Sequence, residues 1–320
     1  MINYISNDYF NKIEELLIDA KEDILTNKAS NLNMLFRLLS ALPVSTNIKE
    51  QEVKKYAKEI FGNKKYTSFK DRIISNAIKN HRLEICGNPE NVGNHSAFYF
   101  FNNEEGAQVS YSKGVAIKDR NYDGSDFFSS CTVADLPIEN NWQAIADSIP
   151  PCNSMLIIDK YIFGHPFEEK LRSLKSFVGI YKADIEIKFH LTIIFSQENN
   201  RTTICTPAQI ETAFNELRLI NNVELQLFSD NNIPTRDRLF FTNYCSGNIG
   251  HPYDGDLTRF NQLFLGREEK EEKIRRNYKT YKENLNFWHS FIQRIPDRIG
   301  QIRTRWVSSD FTNRLFKPTL

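Results

Sequence analysis

The chain has 320 residues, enough for a substantial core in two domains or in one large domain with extensions. It is 40% hydrophobic, 12% aromatic and 25% charged, which excludes collagen, low-complexity sequence and small disulfide-rich domains. Lys and Arg number 41 against 40 Asp and Glu, so the net charge of +1 creates no overall field that would attract nucleic acid or a membrane. Any such attraction has to come from local patches.

The first eighty residues predict helices. Apolar residues recur at spacings near three and four between Tyr9 and Leu25, with charged residues on the other side. Further helices are predicted over 34–42, 50–61 and 68–80. We therefore expect a helical N-terminal region over 1–81.

From Arg82 onward the pattern changes to short β-branched and aromatic runs separated by Gly and Asn. Strands are predicted over 83–86, 97–101 and 109–117, followed by a polar loop over 118–130 and a short helix over 140–149. Pro150-Pro151 is a candidate sub-boundary, because residues that precede proline disfavour helix.

A clear alternation of strands and helices follows Pro151. The order is strand, helix, strand, helix, strand, which is typical of an α/β sheet with parallel crossovers. The predicted elements are strands over 155–159, 185–195, 223–228 and 238–244, and helices over 167–181 and 206–220. We expect one α/β domain over 82–266.

The C-terminal region, 267–320, is predicted to be a basic helix with favourable i,i+4 ion pairs, broken at Pro296 and followed by a short apolar segment over 299–307. The predicted fold class is α+β: a helical N-terminal arm, a central α/β domain and a basic C-terminal helix.

The cysteines favour a reducing compartment. They are five in number, lie at least 21 positions apart and form no Cys-x-x-Cys pair, so zinc and thioredoxin-type sites lose their support. The first residues lack the basic and apolar stretches of a secretory signal, and no 18-residue uncharged apolar segment occurs. We expect a cytoplasmic protein without a membrane span, metal or cofactor.

One motif carries a family resemblance. A strand with the sequence Val-Glu-Leu-Gln-Leu-Phe is followed by Thr235-Arg-Asp-Arg-Leu-Phe-Phe-Thr242 and by the small-residue turn Ser246-Gly247. About residues 154–266 thereby resemble the phospholipase D-like phosphodiesterase superfamily, in which a His-Asp-Arg-Tyr/Leu-Ile-Ile-Thr type motif follows such a strand. The opening Met155-Leu-Ile-Ile-Asp159 also looks like the start of this unit in bacterial members.

The departure from the family pattern matters as much as the match. In active members a histidine attacks phosphorus and a nearby cation neutralises the phosphoryl oxygens. Here Arg236 occupies the histidine position and no His-x-Lys-x4-Asp motif occurs. An arginine stays protonated and cannot act as the nucleophile. The resemblance therefore implies a degenerate copy that grips phosphate through Arg236 and Arg238. The alternative is a polar hairpin entry whose arginines are solvated or salt-bridged.

Three residues are candidates for remaining catalysis. His251 lies in a loop, Gly250-His-Pro-Tyr-Asp254-Gly-Asp256, that combines an acid and a base, although such a sequence is also typical of a simple turn. His190 lies in a predicted strand, where a histidine most often packs on a sheet face. Asp237 belongs to the motif itself.

Two basic segments flank an acidic middle. Residues 48–82 hold ten Lys and Arg against four Asp and Glu, and residues 267–320 hold thirteen against seven, so each carries +6. Cations interleaved with aromatic residues are typical of a nucleic-acid groove. The predicted phosphate-binding cations are Lys64, Lys65, Lys70, Arg72, Arg275, Arg276 and Lys279, with Arg294, Arg298, Arg303 and Arg305 in the same C-terminal segment beside Tyr278, Tyr281, Trp288 and Trp306. The alternative is that basic helices cover the acidic middle domain or an acidic partner.

Three functions follow from these patterns. The first is a nucleic-acid-associated protein, binding DNA or RNA through a degenerate phospholipase D-like module, for which a bacterial defence or mobile-element setting would be suitable. The second is a protein-interaction subunit that binds an acidic partner. The third is an active phosphodiesterase or nuclease that uses a non-standard histidine. The oligomeric state stays open, and a dimer is compatible with the resemblance because active sites of the family often form between subunits.

Overall fold

The computed structural model describes residues 2–11, 14, 43–61, 68–85, 97–100, 116–118, 152–181, 187–220, 222–235, 238–243, 245–249, 257–262 and 271–316. Within these residues the strands are β1 (Ile2–Ile5), β2 (Val44–Thr46), β3 (Leu83–Ile85), β4 (Ala97–Phe100), β5 (Ala116–Lys118), β6 (Ser154–Ile158), β7 (Phe189–Phe195), β8 (Glu198–Asn199), β9 (Thr202–Thr203), β10 (Val223–Ser229), β11 (Arg238–Thr242), β12 (Cys245–Ile249), β13 (Leu257–Gln262), β14 (Arg298–Ile299), β15 (Ile302–Arg303) and β16 (Arg305–Val307). The helices are α1 (Glu50–Phe61), α2 (Phe69–Lys79), α3 (Phe167–Tyr181), α4 (Pro207–Arg218) and α5 (Glu271–Gln293), with a 3-10 turn at Arg314–Phe316.

The N-terminal part of the chain forms a parallel sheet of five strands in the order β3-β2-β1-β4-β5. The prediction of a purely helical region over 1–81 is therefore wrong at β1 and β2, although α1 and α2 confirm the helices near 50–61 and 68–80. Three or four apolar residues show too little of a period to distinguish a buried strand from a helix. The fully buried Val44–Thr46 contains only one apolar residue, so no apolar period marks it as a strand.

This sheet extends across the predicted boundary at 81/82. β2 pairs with β3, with Val44 opposite Leu83, so strands from both sides of that boundary belong to one sheet. The Pro150-Pro151 sub-boundary, by contrast, separates the strands of this sheet from those of the next one. The predicted helix over 140–149 lies outside the described residues.

A second, mixed sheet has seven strands in the order β13-β12-β11-β6-β7-β10-β16. Its centre, β6-β7-β10, is parallel and is connected by α3 and α4, which confirms the predicted crossovers. On either side the pairing is antiparallel, with β11 beside β6 and β16 beside β10. The chain is therefore mixed α and β with a mixed sheet, in agreement with the α+β expectation. The C-terminal segment predicted to be apolar contributes the edge strand β16.

Helices cover both faces of the seven-stranded sheet. On one face, the ring of Phe177 in α3 meets Phe240 in β11 edge to face at 5.4 Å between centroids. On the other face, Tyr281 in α5 packs against Phe241 and donates its hydroxyl hydrogen bond to the carbonyl of Thr242. Because Phe240 and Phe241 are neighbours on one strand, they point to opposite faces, and so α3 and α5 lie on opposite sides.

Capping residues fix the start of α4. Thr206 and Gln209 form a capping box around Pro207, and the helix buries Ile210 and Leu217 against the sheet.

Among the described helices, none is long and apolar enough to cross a bilayer.

Candidate functional site

The carboxyl edge of the parallel strands holds a buried carboxylate. Asp159 directly follows β6 and is completely buried. Its Oδ1 accepts a hydrogen bond from the backbone N–H of Tyr161 at 2.8 Å and lies 3.5 Å from Nε of Arg238. β11 runs antiparallel to β6, with Leu239 opposite Ile158, and this pairing brings Arg238 to Asp159. The Oδ2 atom has no hydrogen-bond partner among the described residues.

Burial and the neighbouring groups shift the pKa of Asp159 in opposite directions. Burial raises the pKa of Asp159 above its ordinary value, because the charged form loses hydration, while the Tyr161 N–H, Arg238 and Lys170 lower the pKa. Lys170 is itself buried and donates from Nζ to the carbonyl oxygen of Tyr161 at 3.0 Å. Arg238 and Lys170 therefore both favour the charged form of a carboxylate that is buried inside the fold.

Arg238 is consequently a poor ligand for an external phosphate. A buried charge left without its partner costs about 3–5 kcal/mol, so a phosphate that withdrew Arg238 from Asp159 would have to offset that cost. This placement agrees with the alternative interpretation of the motif, in which its arginine is salt-bridged. Arg236, Asp237 and His251 lie outside the described residues.

His190 lies on the face of the sheet. Its Nε2 lies 3.3 Å from Oε2 of Glu224, its cross-strand neighbour on β10, and its ring lies 4.4 Å from that of Phe311. The side chain is buried under the C-terminal segment. A substrate could not reach it without displacement of Phe311.

The predicted basic residues of the N-terminal segment and of α5 differ in their local surroundings within the described chain. Lys70 is tied down, since its Nζ donates to Oδ1 of Asn7 and pairs with Glu52, each at 2.7 Å. Arg72 is exposed on α2, and Lys279 is exposed on α5, 3.8 Å from Glu283. Lys64, Lys65 and the side chains of Arg275 and Arg276 lie outside the described part.

The C-terminal segment builds a cleft of about 620 Å³ on the α5 side of the sheet. We call it the arginine cleft. Its walls come from β10, the end of α5, the β14–β15 hairpin, β16 and the residues that follow. It is lined by Gln226, Phe228, His289, Ile292, Gln293, Asp297, Arg298, Arg303, Arg305, Val307, Ser309, Asp310, Phe311, Thr312, Asn313 and Phe316.

Two arginines of the cleft form exposed ion pairs, and Arg303 also donates from Nε to the carbonyl of Arg305 at 2.7 Å and lies 5.2 Å from the ring centroid of Trp306. Arg303 Nη1 lies 3.0 Å from Oε1 of Glu211, with both side chains about half exposed, and Arg305 Nη1 lies 2.9 Å from Oδ1 of the exposed Asp297. The Arg298 side chain has no ion pair with any residue that the structure describes. Exposed ion pairs of this kind contribute about 0–1 kcal/mol, so the guanidinium groups can exchange partners at little cost.

Aromatic rings lie beside these arginines. The guanidinium of Arg305 lies 5.2 Å from the ring centroid of Phe228. Phe316 stacks on His289 with centroids 4.9 Å apart and planes 6° from parallel. Burial lowers the pKa of His289, which favours the uncharged imidazole near neutral pH.

The aromatic residues expected to stack on nucleic acid are elsewhere. Tyr281, Trp288 and Trp306 are buried in the core, where no base can reach them. Sequence reasoning missed the partly exposed Phe311 and Phe316, which lack any motif and reach the cleft because this segment folds back over β10, where Phe228 is buried. Their one sequence signal is their apolar character near a cluster of arginines.

The C-terminal segment is held by buried polar side chains. Asn313 donates from Nδ2 to the carbonyl of Met155 at 3.1 Å and to Oγ1 of Thr192 at 3.0 Å. Arg314 donates from Nη1 to the carbonyl of Lys188 at 2.6 Å. These bonds fix the position of Phe311 and Phe316 and so give the cleft a defined wall.

The chain matches no protein-family model, no curated protein and no solved structure. The resemblance to the phospholipase D-like superfamily therefore stays a prediction.

Proposed function

We propose that the protein binds single-stranded nucleic acid in the arginine cleft. The observation that carries the proposal is the presence of three arginines and two partly exposed phenylalanine rings, Phe311 and Phe316, on the walls of one cleft of about 620 Å³. A guanidinium group matches a phosphate in both charge and geometry, and an adjacent aromatic face offers a stacking surface for a base. A cleft of this size accepts one or two nucleotides of a strand.

The energetics favour these arginines over Arg238 as phosphate ligands. Arg303 and Arg305 give up exposed ion pairs worth about 0–1 kcal/mol each, whereas Arg238 would leave a buried carboxylate behind. Phosphate oxygens accept charge-assisted hydrogen bonds from the guanidinium groups and so replace the lost ion pairs. Exchange of partners therefore costs less in the cleft than at Arg238.

A single strand fits the cleft better than a duplex does. Base faces are stacked inside a duplex and are free only in a single strand, so the phenylalanine rings contribute only when the strand is unpaired. Both DNA and RNA present the required phosphates and bases. In this proposal the seven-stranded sheet is the degenerate phospholipase D-like module, and its role is to support the cleft. A bacterial defence or mobile-element system is the proposed setting.

Fluorescence anisotropy with short labelled single strands and duplexes of DNA and RNA, over a salt series, tests the proposal. We expect the single strands to bind more tightly than the duplexes, with affinity falling steeply as salt rises. The variant Arg298→Ala/Arg303→Ala should reduce the affinity by about tenfold and the salt slope by about two.

The matched control is Arg172→Ala/Arg218→Ala, which removes the same charge from exposed positions in α3 and α4. Neither residue lines the cleft. Equal losses in the two variants would show a non-specific charge effect and contradict the cleft as the site. An absence of binding at low salt would reject the nucleic-acid function and favour an acidic protein partner.

A further inference from the structure

The β14–β15 hairpin presents two exposed isoleucines at its tip. Ile299 and Ile302 are directly opposite each other across the hairpin, and 56% and 49% of their surfaces are exposed. The turn consists of Gly300, with φ of +61°, and Gln301. Glycine at the first position of a two-residue turn with positive φ suits a tight hairpin of type II′.

The two faces of the hairpin have different chemistry. Arg298 lies opposite Arg303, one residue further from the tip than the isoleucine pair. Cross-strand partners share a face and successive residues alternate, so the arginines and the isoleucines occupy opposite faces. Both arginines line the arginine cleft, and the isoleucine pair therefore forms an apolar surface directly outside it.

The base of the hairpin is clamped to the sheet. The backbone N–H of Thr304 donates to the carbonyl of Asp297 at 3.0 Å, and the Thr304 carbonyl accepts from the N–H of Ser229 at 2.8 Å. The Thr304 hydroxyl also donates to the carbonyl of Pro296, and its side chain is buried. The tip is thus carried on a fixed support at the end of β10.

We propose that this hairpin is a wedge that binds the junction between single-stranded and double-stranded nucleic acid. The strand in the cleft leaves a duplex at the hairpin, and Ile299 and Ile302 stack on the terminal base pair. The inference rests on the proposed function and specifies its ligand as a forked or tailed duplex.

Charge complementarity selects nucleic acid over a protein as the occupant of the isoleucine pair. Arg298 and Arg303 lie one residue further from the tip than the isoleucine pair and on the opposite face, so a ligand that passes around the tip meets isoleucines on one face and arginines on the other. Apolar wedges beside cationic phosphate ligands are a recurrent means of unstacking bases. A duplex end offers an apolar base pair flanked by phosphates, which matches this arrangement.

Anisotropy with a tailed duplex and with its isolated single-stranded tail tests the wedge. For the unmodified protein we expect the tailed duplex to bind about tenfold more tightly than the tail, because stacking buries both isoleucines. Ile299→Ser/Ile302→Ser should abolish this preference and leave the affinity for the tail within about twofold, since both arginines remain. Leu219→Ser is the control, because Leu219 is an exposed apolar residue at the end of α4. This control should keep the preference.

A 2-aminopurine base at the first pair of the tailed duplex supplies an independent readout. Its fluorescence should rise when the unmodified protein binds and should stay unchanged with the double isoleucine variant. Equal affinities for the tailed duplex and the tail, or a preference that survives the double variant, would overturn the wedge while the proposed function stands. If the tail itself does not bind, both proposals are overturned.

Discussion

Arg238 and Asp159 join the start of β11 to the end of β6, with Nε of the arginine 3.5 Å from Oδ1 of a fully buried carboxylate. The arginine belongs to the motif that resembles a phosphodiesterase site, yet its partner is a residue of the fold. The contact lies at the edge of the sheet where β6 ends and its antiparallel neighbour β11 begins.

Replacement of Arg238 should destabilise the protein strongly. Arg238→Met keeps much of the aliphatic volume but leaves the Asp159 carboxylate buried without its nearest cation, and the free energy of unfolding should fall by about 3 kcal/mol. Urea denaturation followed by circular dichroism measures the change. Arg172→Met, at an exposed position of α3, should change it by less than about 0.5 kcal/mol. Equal losses of unfolding free energy in the two variants would mean that the buried pair does not stabilise the fold.

Removal of the Asp159 charge should change how stability depends on pH. Burial raises the pKa of Asp159 in the folded chain above its ordinary value of 3.8, so the folded state holds a proton that the unfolded chain releases. The free energy of unfolding should then fall as pH rises from about 4 through the raised pKa. Asp159→Asn removes this contribution, and the stability of the variant relative to the unmodified protein should rise over the same interval.

Urea titrations of both proteins between about pH 4 and about pH 8 measure this difference. A variant curve parallel to that of the unmodified protein would show that Asp159 titrates alike in the folded and unfolded states.

Neutralisation of Glu211 should strengthen nucleic-acid binding. Oε1 of Glu211 accepts hydrogen bonds from Nη1 of Arg303 at 3.0 Å and from Nε1 of Trp306 at 2.7 Å. Glu211→Gln keeps an oxygen acceptor for Trp306 but removes the negative charge that competes with phosphate for Arg303. We expect affinity at low salt to rise about two- to fivefold, and the gain to shrink at high salt.

Glu216→Gln is the matched control, because Glu216 lies on the same helix and pairs with Lys175 at 3.0 Å. Anisotropy titrations of the two variants should therefore differ. A gain for Glu216→Gln as large as that for Glu211→Gln would point to net charge alone and argue against a site at Arg303.

Cys205 should resist alkylation in the native protein. The thiol is buried, its Sγ lies 3.6 Å from the carbonyl oxygen of Ser196, and burial raises its pKa to about 12. Because the thiolate is the reactive species, iodoacetamide near neutral pH should leave Cys205 unmodified until urea unfolds the chain. Mass spectrometry of the peptide that contains Cys205 follows the reaction. Rapid labelling without urea would show that this part of the chain opens in the native state.

The sequence predicted best the elements that have a long periodic run of apolar residues or a clear capping motif. The amphipathic run of α3 and the Thr206-Pro207 start of α4 led to correct helices, and the buried apolar run of β7 led to a correct strand. The prediction failed at β1 and β2 because such short strands are defined by their neighbours. β1 pairs with β2 on one side and, on the other, with β4, which is almost a hundred residues away in the chain.

For the candidate site, the sequence indicated a basic C-terminal segment but not which of its cations and rings come together. Positive charge was predicted over 267–320 as a whole, and Arg298, Arg303 and Arg305 of that segment line one cleft. Trp288 and Trp306 looked equally suitable for stacking, but both fill the core. Large apolar rings gain most by leaving water, so those that the sheet and helices can cover become buried.

The sequence by itself determined the local properties: which segments form helices, where caps begin them, which strands alternate with them, and where positive charge concentrates. Only the tertiary structure decided which cations have strong partners and which have weak ones. Arg238 and Arg305 have the same side chain, but one lies beside a buried carboxylate and the other in an exposed pair beside Phe228. The free energy of a charge depends on its surroundings, and chain folding brings those surroundings together from distant positions.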